Sequence, residues 1–157
     1  MTRGYSNGAD RPLKGYLTAI GAYAGMVAAA GAAGRARKAR VPQRFSLGDT
    51  ALLAVATHKA SRLVSKSSVG SALRAPFVRY ERPAGAAELV ESARGHGVRH
   101  AVGELVTCPF CMDVWVAGVL TAGFVLAPRA TRLAATGLTA GAASDVLHLA
   151  YDKAKDA

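Results

Sequence analysis

The chain has 157 residues, one domain's worth, with hydrophobic residues at 51% but aromatics at only 6%. Its apolar mass is therefore Ala, Val and Leu, which bury little area per residue in a soluble core but let helix backbones approach closely in a bilayer. The formal charge is +10. The basic residues lie between apolar runs, so they read as membrane flanks facing anionic headgroups and argue against a nucleic-acid partner, and two cysteines are too few for a disulfide scaffold.

Residues 1–14 are polar and read as a flexible tail. Gly15 to Gly34 carries no charge. At a rise of 1.5 Å per residue such a stretch reaches about 30 Å, the thickness of the hydrocarbon core. It is long for the apolar part of a signal peptide and an arginine cluster follows it, as after a retained span. Gly21 and Gly25 form a G-x-x-x-G that permits close helix contact. RARKARVPQR, Arg35 to Arg44, is a basic loop containing Pro42.

Ser46 to Lys66 has a helical pattern. Ser46 suits the cap, with Asp49 in the place of a capping-box acid. Leu52, Leu53, Val55 and Ala56 form its apolar part, and His58, Lys59 and Arg62 interrupt it. The stretch reads either as a short span inside a bundle or as a helix at the interface.

Residues 67–104 form a polar central segment. After a break at Pro83–Gly85, the pattern predicts a short helix over Ala86–Arg94 that buries Leu89 and Val90, with Gly95 as its stop. No run of β-branched residues is long enough to predict a sheet. His96 and His100 read as surface loop residues.

Leu105 to Pro128 is apolar except for Asp113, and a second apolar run covers Leu133 to Tyr151. A tight join predicts an antiparallel hairpin, with Gly118, Ala122, Gly137 and Gly141 near the seam. Asp145 and His148 share one face of the second run. They are functional candidates, or they hold helices together by pairing with Arg62, Arg74 or each other. Residues 152–157 read as a tail. The expected fold is all-α: a single membrane domain over 15–151, with three or four membrane-embedded helices near 15–34, 46–66, 105–128 and 133–151.

The two cysteines, Cys108 and Cys111, stand in C-P-F-C at the head of the 105–128 run. Pro109 suits the first turn of a helix, which puts Cys108 near the N-cap, where unpaired backbone N–H groups and the helix dipole favour a thiolate. Three uses fit. In a redox use, Cys108 is the nucleophile and Cys111 the resolving thiol, with Arg62 or Arg74 as electrostatic support. In a metal use, the two cysteines join His58 and His148, or the loop residues His96 and His100, in a Cys2His2 zinc site. In the third, the pair has a packing role. Trp115 reads as an interfacial anchor.

HKASRL at His58–Leu63, SALRAPF at Ser71–Phe77 and GELVTCPFCMDVW at Gly103–Trp115 come in an order and spacing that resembles the domain of unknown function 1360 family. The resemblance spans about residues 46–150 and rests on Arg62, Arg74, Pro76, Gly103, Glu104, Cys108, Pro109, Cys111 and Trp115. The family pattern often has glycine where this chain has Asp113. The resemblance implies a small integral membrane protein of bacteria and no particular reaction. The expected role is structural or in assembly of the bacterial envelope; the alternative is a thiol-dependent membrane oxidoreductase or metal-binding membrane protein. The expected partners are the lipid bilayer, and a second copy or other membrane proteins.

Charge counting predicts the side of the cysteines. With three crossings the favoured topology has 15 Lys and Arg inside and 5 outside; with four crossings, 11 inside and 7 outside. Both put residues 66–107, and so the cysteine pair, on the cytoplasmic side, where a C-x-x-C is kept reduced.

Overall fold

The computed structural model describes residues 11–155. Among them the chain is mostly helical, with one small sheet. In order come α1 (Leu13–Ala36), α2 (Leu47–Lys66), α3 (Ser71–Arg74), β1 (Val78–Gly85), β2 (Glu88–Ala93), α4 (Gly97–Thr107), α5 (Pro109–Leu126) and α6 (Pro128–Lys155). Two compact units share these elements. Unit 1 takes residues up to Met26 and Leu63–Met112; unit 2 takes Val27–Arg62 and the chain from Asp113 on.

Unit 1 joins the start of α1, the end of α2 and the start of α5 to a hairpin and α4. β1 and β2 pair antiparallel, from Val78 against Ala93 to Gly85 against Glu88. Gly85, at the end of β1, has φ 129°, and Ala87, in the two-residue turn Ala86–Ala87, has φ 58°; such positive angles let the chain reverse tightly. This corrects two expectations: the chain is not all-α, and residues 86–94 hold a strand rather than a helix. The Pro83–Gly85 break is the end of one strand turning into the next. Pro83 is tolerated because a two-stranded sheet has only edge strands. Two glycines permit the packing of α4. A Cβ on Gly103 would lie 2.6 Å from the Phe77 carbonyl oxygen and 2.9 Å from the Ala93 Cβ. A Cβ on Gly15 would lie 2.7 Å from the Ala101 Cβ, so α1 also meets α4 at a residue without a side chain.

Unit 2 has a small core of Ala56, Leu120, Phe124 and Ala135, with Leu52, Leu53, Val116 and Leu138 packed against it. Ser46 caps α2 as expected: its Oγ accepts the Asp49 N–H at 3.0 Å. α1 ends in the hydrogen-bond pattern of a Schellman motif, Ala39 N–H to Gly34 O and Lys38 N–H to Arg35 O, with Lys38 at φ 49° in place of the usual glycine. α5 and α6 form a hairpin whose close contact is Gly123, where a Cβ would lie 2.5 Å from the Thr131 Oγ1. Gly137 has open space around it and Gly141 meets the Lys59 stem, so the expected seam through those two glycines is replaced by one nearer the turn. α2 and α6 run parallel, because Asp49 pairs with Arg132 at 2.7 Å and Lys59 with Asp145 at 2.5 Å.

The expected helix over 105–128 is two helices that meet at Cys108, and α6 runs through the expected tail as far as Lys155. The expected tail at 1–14 lies outside the described residues up to 10; from Leu13 the chain is helical. Among the described residues two helices, α1 and α5, are long and apolar enough to cross a membrane, with mean hydropathies of 1.4 and 1.7.

Candidate functional site

Cys108 ends α4 and starts α5. As the C-cap of α4 it is extended, at φ −102° and ψ 105°, the conformation an N-cap also requires. Pro109 follows at the first position of α5, where a missing N–H costs no hydrogen bond. The Cys108 carbonyl accepts the N–H groups of Cys111 and Met112 at 3.1 and 3.0 Å. Its Sγ accepts the Cys111 N–H at 3.3 Å, as a serine oxygen would at an ordinary cap. The same turn brings the Cys111 thiol to 2.7 Å from the Cys108 sulfur. Both are free thiols; Cys108 is half-buried and Cys111 exposed.

That separation bears on what the pair can do. A disulfide needs about 2.05 Å between sulfurs. Two thiolates on one tetrahedral zinc, at Zn–S distances of about 2.3 Å, sit about 3.8 Å apart. The turn is thus closer to the geometry of a bond than to that of a chelate. Among the described residues no three His, Cys, Asp or Glu side chains are grouped to hold a metal ion.

One turn before Cys108, α4 carries Glu104. Its Oε2 accepts a hydrogen bond from the Tyr16 hydroxyl of α1. Its Oε1 lies 3.5 Å from Arg11 Nη1 and 3.7 Å from His100 Nε2. The other ring nitrogen of His100 lies 3.2 Å from the Gly95 carbonyl oxygen. His100 is therefore a helical residue of α4 rather than a loop residue, and His96 is the residue that caps α4. Glu104 is one of the residues on which the family pattern rests. The signal that marks it is its i, i+4 spacing to His100 on α4.

Arg74 is buried, only 2% exposed. Its Nε meets the buried Glu91 carboxylate of β2 at 2.5 Å, while Nη1 and Nη2 donate to the Val64 and Ser67 carbonyls at 2.6 and 2.9 Å. It ties the end of α2 to the hairpin and satisfies carbonyls that a helix end leaves open. Gly70 leaves room for it, since a Cβ there would lie 2.8 Å from Nη1.

His58, Arg62, Asp145 and His148 belong to unit 2. Asp145 pairs with Lys59 of α2. Trp115 lies in the second turn of α5.

Comparison with curated proteins and with solved structures gives no match. A family model matches residues 52–151, from within α2 to within α6, and includes the hairpin, the Arg74 tie and the cysteine turn. That match covers more than half of the chain, which therefore belongs to the family described as Protein of unknown function (DUF1360).

Proposed function

We propose that the chain is a multi-pass membrane protein that exchanges the Cys108–Cys111 dithiol for a disulfide at the cytoplasmic end of α5. The 2.7 Å approach of the two sulfurs carries the redox reading. One thiolate attacks a sulfur of a partner disulfide and releases a partner thiol. The second thiol then attacks the mixed disulfide, forming Cys108–Cys111 and releasing the other partner thiol. Two electrons pass to the partner, and the protons leave with its thiols.

The membrane reading is supported by exposure. None of the apolar window of α1 and only 11% of that of α5 is buried in the protein, whereas a soluble chain would cover such surfaces. Unit 1 also constrains the path of the chain. It holds the start of α1, the end of α2 and the start of α5 together. If α1 crosses the bilayer, α2 must bring the chain back. After α5 crosses, α6 returns parallel to α2, in line with the Asp49–Arg132 and Lys59–Asp145 pairs. This four-crossing path is the one with 11 Lys and Arg on the cysteine side and 7 on the other, so the cysteine side is cytoplasmic. Within the span, Lys59 and Asp145 neutralise each other.

The test equilibrates detergent-purified protein with mixtures of reduced and oxidised glutathione and labels the remaining thiols with a polymer-linked maleimide. One transition is expected, from two labels to none, and C111S should form no internal bond. Two labels at every glutathione ratio would overturn the redox reading.

A second reading, a structural or assembly role in a bacterial envelope, is favoured by the use that unit 1 makes of Arg74, Gly103 and Glu104 in packing. Under it, a C108S/C111S double variant keeps its level, its localisation and its cellular phenotype; under the redox reading it keeps the first two and loses the third.

A further inference from the structure

We propose that the end of unit 2 formed by the α1–α2 connection and the α5–α6 turn is a binding surface for acidic phospholipid headgroups; the proposal rests on the membrane reading above and not on the redox one. The sequence holds the cations in two separate places. Arg35–Arg44 contains five Lys and Arg, and Arg129 and Arg132 lie in the first turns of α6. The structure makes them one surface, because both ends of the connection are fastened to the turn. At the α1 end, Gly34 lies against Leu126, the last residue of α5: a Cβ on Gly34 would be 3.9 Å from Leu126 Cδ2. At the α2 end, the Phe45 and Phe124 rings lie 6.5 Å apart, and Asp49 pairs with Arg132 at 2.7 Å. The Arg132 guanidinium also stands over the Phe124 ring, 5.3 Å from its centroid. All of these residues belong to unit 2.

Charge and position select the occupant. Asp49 is the one acid in residues 35–49 and 126–132, and Arg132 holds it. Among the described residues the five cations of Arg35–Arg44 and Arg129 have no acidic partner, and all are exposed. α6 has no acid in its first turn, so the positive end of its dipole adds to their field. A surface of this sign draws anions from outside the chain. α1 and α5, which are long and apolar enough to cross a membrane, both end here, which sets the cations at headgroup depth. Val41, 71% exposed, and Leu47, 91% exposed, stand beside them. Apolar side chains among cations suit a headgroup with acyl chains beneath it, and they gain nothing from a water-soluble polyanion.

The test titrates acyl-labelled phosphatidylglycerol, held in neutral detergent micelles, with the purified full chain and reads fluorescence anisotropy. Phosphatidylglycerol should bind about tenfold or more tightly than phosphatidylcholine with the same acyl chains, and added salt should narrow the difference. Each cation near an acidic headgroup is worth about fivefold in affinity. R129Q should therefore weaken binding by about fivefold and R37Q/R40Q by about 25-fold. R79Q/R82Q removes the same charge from exposed positions on β1, in unit 1, and should leave binding unchanged. Equal binding of the two lipids, or an R79Q/R82Q loss as large as that of R37Q/R40Q, would mean that no local surface selects the headgroup, and would overturn the proposal. Displacement of the lipid by millimolar glycerol phosphate would assign the surface to soluble phosphates and overturn it too. Release of the protein from membranes by a carbonate wash fails the membrane reading itself, which separates the two failures.

Discussion

Arg74→Met removes the most heavily used buried charge in unit 1. Methionine keeps much of the volume but takes away three hydrogen bonds, to Glu91, Val64 and Ser67. The Glu91 carboxylate, with a side chain 3% exposed, is left in place without its counter-charge. Breaking one partner of such a pair costs about 3–5 kcal/mol. For a chain of this length each kcal/mol lowers the melting temperature by about 2–4 °C, so the loss should be about 6–20 °C. Arg74→Met with Glu91→Leu removes both charges and should recover part of that loss, because no bare carboxylate remains. The Val64 and Ser67 carbonyls stay unsatisfied, so recovery should be incomplete. Thermal unfolding in a mild detergent, followed by the fluorescence of Trp115, measures both variants. A single variant that melts within about 2 °C of wild type, or a double variant worse than the single, would refute the reasoning.

Other positions give sharper contrasts. Gly123→Val should destabilise the α5–α6 hairpin by driving a side chain into Thr131, whereas Gly137→Val, with open space around it, should leave the melting temperature nearly unchanged. Ser46→Ala should cost about 0.5–2 kcal/mol through loss of the α2 cap, read from the same melts. Gly25→Arg, near the middle of α1, should cost about 2.5–3.5 kcal/mol of membrane insertion; normal insertion in a glycosylation-mapping assay would count against a span there.

The parts of the fold that were legible in the sequence are those set by local chemistry. The uncharged run of α1, the Ser46 cap and the cap-and-proline start of α5 each depend on residues within one or two turns, and each is present. The hairpin was not legible because its strands carry little β-branched character and its second strand, Glu88–Ala93, has a helix-compatible composition. Long-range pairing with β1 overrides that local preference. The partner of Asp145 was missed for a related reason: Lys59 lies beside it only because α2 and α6 run parallel, a fact of topology that spacing along one helix does not contain. At the cysteine turn the sequence gives the two thiols and the helix start. The Tyr16 and Arg11 contacts to Glu104 come from a segment about ninety residues earlier, which no local pattern connects to α4.

In the proposed function the dithiol belongs to a membrane protein and faces the cytoplasm. The most direct measurement labels intact cells with a membrane-impermeant maleimide, repeats the labelling after lysis, and recovers the protein from carbonate-washed membranes. The protein should stay with the washed membranes, and Cys108 and Cys111 should react only after lysis. Strong labelling of intact cells, or release of the protein by the carbonate wash, would contradict it.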